Sequence, residues 1–243
     1  MALKYFLPLA FLFCVSCSND VTEENTKDSL FMDSMITATQ HRDSLMTNGT
    51  VKKDTVHHTA LPTVFDGDII MENYGADQTV EWGQLMGGKY NHVGIIFQRG
   101  KDGILCVADV TDSVRVTELT SYVDRATNGQ VALLRLKNAN MTLTEEKVKS
   151  LRQSAKAYKG TPADMVLNWD DSHLYPAEFV WKVYNNAMRL TLCPTRTVKD
   201  FDISPEKQAE LNKKYGGVVS PKDEAVSIDD IYHSEKLEVV YEK

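Results

Sequence analysis

One histidine opens an apolar run, and far downstream a second stretch reads as the start of a helix. The first is Tyr90-Asn91-His92-Val93-Gly94-Ile95-Ile96, and the second is Leu174-Tyr175-Pro176-Ala177-Glu178-Phe179-Val180-Trp181. Imidazole is the side chain best suited to moving a proton near neutral pH. It acts as a base in covalent catalysis when a thiol or hydroxyl stands within hydrogen-bond reach. Candidates for that partner are few. Cys106 lies within Ile104-Leu105-Cys106-Val107, the setting of a buried thiol. Cys193 follows the helical stretch in Leu190-Thr191-Leu192-Cys193-Pro194. An oxidising compartment would equally permit a disulfide between the two, and neither has metal-ligand spacing. Ser172 and His173 read as cap and loop residues. The adjacent His57 and His58 point apart on either a helix or a strand and have no other ligand nearby, so no metal site is expected. Taken alone, His92 reads as a partly buried histidine bonded to a neighbour.

The surrounding elements are legible from periodicity. Phe65-Asp66-Gly67-Asp68-Ile69-Ile70 is a turn feeding a strand. Residues 79–86 suggest a short helix ended by Gly87-Gly88. Strands are expected at 92–98 and 104–110, joined by a turn, and at 113–117 and 131–136. Short consecutive strands joined by turns imply an antiparallel sheet. Thr142-Leu143-Thr144-Glu145 reads as a capping box opening a helix. Val148, Leu151, Ala155 and Tyr158 form its apolar stripe, and Gly160 ends it. A second helix is expected over 176–188, with Phe179, Val183 and Ala187 on one stripe. A polar helix over 205–215 and a last strand at 237–241 complete the chain. Segregated helices beside an antiparallel sheet define an α+β fold.

These residues resemble the YiiX/YaeF group of permuted papain-like amidases, relatives of the NlpC cell-wall peptidases. Gly67-Asp68-Ile69-Ile70 resembles the opening motif of that group, and residues 90–96 resemble its histidine strand. Gly160-Thr161-Pro162-Ala163-Asp164 is similar to its Gly-x-Pro-Tyr-Asp turn. Residues 175–184 resemble its Tyr-Cys-Ser-Glu-Leu-Val-x-Lys-x-Tyr helix, and the tail from Asp200 through Ser227-Ile228-Asp229-Asp230 to Leu237 follows its closing pattern. The resemblance implies a circularly permuted, papain-like fold of NlpC type with an antiparallel sheet packed with helices. It implies that His92 is the former general base and Asp109 its orienting residue. Pro176 falls at the position of the nucleophilic cysteine, and Asp68, Tyr90, Asp164, Tyr175 and Glu178 fall at binding positions. No cofactor and no metal are expected.

The departures from the pattern concentrate on polar positions. The cysteine is Pro176, the serine after it is Ala177, and the tyrosine of the turn is Ala163. Gly94, Gly160, Asp164, Glu178, Trp181 and Tyr184 remain. Papain-like enzymes set the cysteine at a helix N-terminus, where the helix dipole favours the thiolate. Proline suits that place structurally, because the first turn has unpaired amides and a φ that proline already holds. It supplies neither a nucleophile nor an N–H for an oxyanion. The expected function is therefore a catalytically degenerate amidase domain that binds an amide or peptide-like ligand of the cell envelope. The alternatives are an active hydrolase with an unrecognised nucleophile and a protein-binding assembly module.

At the N-terminus, Lys4 followed by a short apolar core reads as an export signal over 1–17, too short to span a bilayer. Val15-Ser16-Cys17 resembles a lipobox, which would place a lipid on Cys17; ordinary cleavage without lipidation is the other reading. Residues 18–62 are polar and read as a flexible tether, leaving 63–243 as the amidase-like domain. The expected location is the envelope of a Gram-negative bacterium, lipid-anchored at the outer membrane on its periplasmic or surface face. A net charge of −7 and the lack of a Lys/Arg-rich run argue against a nucleic-acid partner.

Overall fold

The computed structural model describes residues 61–75, 83, 85–100, 103–217 and 219–243. The expected signal with Cys17, nearly all of the tether including His57 and His58, and most of the helix expected at 79–86 lie outside the described residues. Six antiparallel strands form the central sheet: β1 (Ile69–Glu72), β2 (His92–Arg99), β3 (Ile104–Val110), β4 (Val114–Glu118), β5 (Val131–Leu136) and β8 (Leu237–Glu242). Their spatial order is β4-β3-β2-β1-β5-β8. Two short strands, β6 (Arg196–Thr197) and β7 (Glu224–Ala225), pair separately. The helices are α1 (Leu119–Asp124), α2 (Glu145–Ala157), α3 (Pro176–Met188), α4 (Pro205–Tyr215) and α5 (Ile228–Tyr232). The architecture is α+β, as expected.

Alternation along each strand divides the apolar side chains between two faces. Val93, Ile95 and Phe97 of β2 join Ile69, Ala108 and Leu134 in the larger core, which includes Phe179, Val180 and Val183 of α3. Ile96, Ile70, Val107 and Leu133 face the other way, where Leu119, Tyr122 and Val123 of α1 cover them. Helix α3 packs against β2 and β3 and against α2. Gly94 is required at the β2–β3 crossing: a Cβ there would stand 2.4 Å from Val107 Cγ1 and 2.9 Å from the Ala108 carbonyl oxygen.

The helix starts show how local chemistry fixes the ends. Pro176 is the first residue of α3, and Glu178 reaches back to accept from the Tyr175 amide at 3.4 Å. The start of α2 differs from the sequence reading. Thr142 ends a separate helical turn (Ala139–Thr142), and Thr144 is the cap of α2, accepting from the Lys147 amide at 3.4 Å. The stripe residues Leu151 and Ala155 are buried as expected. The last strand, β8, lies on the sheet edge against β5, with a register shift between Leu133 and Leu134.

Candidate functional site

His92 opens β2 and is wholly buried. It shares its face of the sheet with Gly94 and Ile96, so its ring lies on the α1 side. There Nε2 is 2.9 Å from the Val110 carbonyl oxygen and Nδ1 is 3.2 Å from the Tyr122 hydroxyl. A carbonyl can only accept, so Nε2 carries hydrogen, and in the neutral ring Nδ1 accepts from Tyr122. Two carboxylates stand slightly farther off: Glu72 Oε1 at 3.7 Å and Asp109 Oδ2 at 3.9 Å from Nδ1. Strand pairing sets this geometry. Glu72 faces His92 across β1–β2, and Asp109 faces Gly94 across β2–β3.

Arg125, the C-cap of α1, neutralises this cluster. Its Nε donates to Glu72 Oε1 at 2.8 Å, and its Nη2 donates to Asp109 Oδ2 at 2.7 Å. The guanidinium lies between two rings, 4.5 Å from the centre of Tyr74 and 4.3 Å from that of Tyr122. Burial pushes the Glu72 carboxyl up to about 7, against the opposing pull of Arg125. Glu72 Oε2 and Asp109 Oδ1 are buried without a hydrogen-bond partner among the described residues.

The start of α3 lies on the opposite face of the sheet. Pro176 and Ala177 are buried there beside Tyr175, whose hydroxyl accepts from the Val226 amide at 3.0 Å. That bond holds the segment before α5 over the helix start. Among the described residues, the cavity at Pro176 is about 10 Å³ and is lined by Met86, Asn91, Val226 and Ile228. That is at the threshold of roughly 10–15 Å³ needed for one water. Asn91, the neighbour of His92, is the β2-side residue that meets Pro176.

A second buried polar group supports this helix start. Lys182 Nζ lies 2.9 Å from Glu178 Oε1, and it donates to Asp171 Oδ1 at 2.9 Å and to the Asp170 carbonyl at 2.5 Å. Burial pushes the Glu178 carboxyl up to about 8, with Lys182 opposing. Asp164 Oδ1 accepts from the Val166 amide at 2.7 Å, and burial raises its carboxyl as well, against the backbone hydrogen bonds of Val166 and Asn168.

The sequence-selected residues thus fall into separate groups. His92 and Asp109 come together, while Tyr175, Pro176 and Glu178 come together with Asp164 nearby. The first pair and the second set are divided by the sheet. Asp68 belongs to neither: Arg135 holds both its oxygens, at 2.8 and 2.7 Å. Tyr90 donates to Glu242 Oε1 at 2.9 Å, an oxygen that also receives Lys89 and Tyr232 at 2.8 Å each. Cys106 and Cys193 are both buried and are not joined in a disulfide. The sequence reading missed Glu72, Tyr122, Arg125 and Lys182. Lys182 carried a readable signal, being four residues beyond Glu178 on a helix. Glu72 carried a weaker one, as an acid closing an otherwise apolar strand.

The family described as permuted papain-like amidase enzyme, YaeF/YiiX, C92 family matches residues 63–241. The chain belongs to this family. It is 29% identical over 175 residues to the uncharacterized protein YiiX of Escherichia coli strain K12, covering 72% of this chain and 84% of that relative. It is also similar to the crystal structure of metalloprotein yiiX from Escherichia coli O157:H7. There the TM-score is 0.64 and the identity 28%, covering 73% of this chain and 97% of that one. The YiiX-like, papain-type amidase domain expected from the histidine strand and the α3 pattern is thereby shown. The fold is the permuted one, with the histidine strand preceding the helix in the chain.

Proposed function

We propose that this is a lipid-anchored envelope protein whose amidase domain has given up thiol chemistry and binds an amide or peptide-like envelope ligand. One observation supports the reading: α3 begins with Pro176, which offers no nucleophile, at the place where the resemblance of residues 175–184 puts the family's cysteine. The placement of His92 supports it. Both ring nitrogens are engaged with Tyr122 and Val110 on the far face of the sheet, which leaves no lone pair directed at the helix start. Without its nucleophile a catalytic triad loses on the order of 10⁶ in turnover, about 8 kcal/mol of barrier.

Cys193 is a poor substitute nucleophile. Burial pushes its thiol up to about 12, with Asp230 adding to the effect, so the reactive thiolate is scarce at neutral pH. The related crystal structure is that of a metalloprotein, but the described residues here do not fit a metal. Between Glu72 and Asp109 the positive charge is already supplied by Arg125. Among the described residues no group of three or more His, Cys, Asp or Glu side chains could hold an ion.

Pro176→Cys tests the proposal. The variant is expected to remain inactive toward muropeptides and simple acyl-amides, because the restored thiol would meet Asn91 rather than an available imidazole. Thiol-dependent turnover by the wild-type chain, abolished by His92→Ala, would overturn it. The lipid anchor is tested separately by mass spectrometry of the cell-expressed protein, with an acylated Cys17 as the expected N-terminus.

A further inference from the structure

A groove of about 850 Å³ opens behind α5, away from Pro176, between the loop that follows α3 and the turn before β8. Its volume lies in the range of ligand sites, roughly 300–1,000 Å³. The floor is apolar and fixed: Leu192 and Cys193 are buried. Trp181 Nε1 donates to the Cys193 carbonyl at 2.8 Å, and Ser234 Oγ donates to that of Leu192 at 2.5 Å. One wall carries an asymmetric ion pair, Arg196 and Asp230. Asp230 Oδ2 accepts from the Ser227 amide at 2.9 Å, the Ser227 hydroxyl at 2.7 Å, and Arg196 Nε and Nη2 at 3.3 and 3.0 Å. Every hydrogen bond of that carboxylate thus falls on one oxygen. Its Oδ1, and the Nη1 of Arg196, have no partner among the described residues. Both side chains are nevertheless held in place, Asp230 by Ser227 and Arg196 by the Phe201 ring 4.0 Å beneath its guanidinium.

We propose that this groove binds an extended peptide segment, recognising a main-chain amide through Arg196 and Asp230 above the Leu192–Cys193 floor. An amide presents one carbonyl acceptor and one N–H donor side by side. A spare guanidinium donor next to a spare carboxylate acceptor is the complement of that pair. Because both groups are already fixed by other contacts, binding does not have to order them. A nucleobase edge offers a similar donor and acceptor, but base recognition relies on stacking against aromatic side chains, and the one aromatic ring in the described lining, His233, is already engaged edge-on with Tyr232 and lies 3.1 Å from the Asp229 carbonyl. The inference deepens the proposed ligand class and rests on that reading, while moving the binding place away from the small cavity at Pro176.

The test is an NMR titration of the full chain with N-acetyl-trialanine amide, with guanosine as the control ligand. The amide resonances of Leu192, Arg196, Asp230 and Ser234 are expected to shift saturably with the peptide and to stay still with guanosine. Arg196→Met, which keeps the packing on Phe201, is expected to weaken binding about tenfold, the worth of one charge-assisted hydrogen bond. Thr191→Trp, at an exposed rim position, is expected to block the groove without touching the ion pair. The groove site is overturned if neither variant changes the affinity, or if guanosine shifts these resonances and the peptide does not. Shifts confined to residues 175–177 would overturn the groove while leaving the peptide-like ligand class standing. No saturable shift anywhere would sink both.

Discussion

The two faces of the central sheet each bury a carboxylate beside a cation, and they use the pair differently. On the α1 face, Arg125 joins Glu72 of β1 to Asp109 of β3 across His92 of β2. Charge there ties neighbouring strands together. On the α3 face, Glu178 and Lys182 lie on one helix, and Glu178 also accepts from the Tyr175 amide. Charge there shapes the first turn of the helix that begins with Pro176. An ion pair spanning separate elements depends on the whole sheet, whereas one within a helix depends mainly on its own turn. The comparison teaches that the conspicuous polar residues of this domain can be held by architecture: each named carboxylate has a structural partner within reach.

Breaking the cross-strand pair is expected to have the largest effect. Arg125→Met removes the shared cation from two fully buried carboxylates, and removal of one partner from a buried pair costs about 3–5 kcal/mol. Chemical denaturation at neutral pH would measure it. A loss below 1 kcal/mol would mean that Glu72 and Asp109 are neutralised by other means.

The helix-start pair is read best through pH. Burial raises the folded carboxyl of Glu178 from 4.5 to about 8, and that of Glu72 to about 7. The folded state therefore binds more protons than the unfolded state between about 4.5 and 8, so stability falls as pH rises through that window. Glu178→Gln is expected to flatten the upper part of this slope, by an amount on the order of a few kcal/mol. Denaturant midpoints from pH 5 to 9 provide the check, and a parallel slope in the variant would remove Glu178 as its source.

The smallest effect is expected at Pro176. Pro176→Ala keeps the helix start and loses only the proline's restriction of the unfolded chain, worth about 0.4–1 kcal/mol. A loss above 2 kcal/mol would assign Pro176 a packing role beyond its backbone one.

Much of this was legible in the sequence because it depends on local order. Residues 131–136, 176–188 and 205–215 form the elements their periodicity indicates. Helix α1 was not legible: six residues that include β-branched and aromatic side chains give too short a pattern to separate from a strand. The cap of α2 slipped by two residues because Thr142 and Thr144 offer the same hydroxyl, and only the intervening turn decides between them. At the candidate site, alternation places His92 with Gly94 and Ile96, but cannot say which face receives α3. Arg125 could not be found from spacing, since strand register and the position of α1 bring it to Glu72 and Asp109. The peptide-recognising couple of Arg196 and Asp230 depends likewise on contacts far apart in sequence.

The edge position of β8 has a consequence for how the molecule is made. Its partner, β5, is complete at Leu136, yet the pairing waits for residues 237–242. Until they arrive, β5 presents an open row of amides and carbonyls beside the apolar residues Leu133 and Leu134. Such long-range pairing slows folding, and exposed edges invite association between chains. A chain synthesised from its N-terminus therefore carries an unfinished sheet until its last residues are made. The closing step belongs to the last strand, which also brings Glu242 to Lys89, Tyr90 and Tyr232.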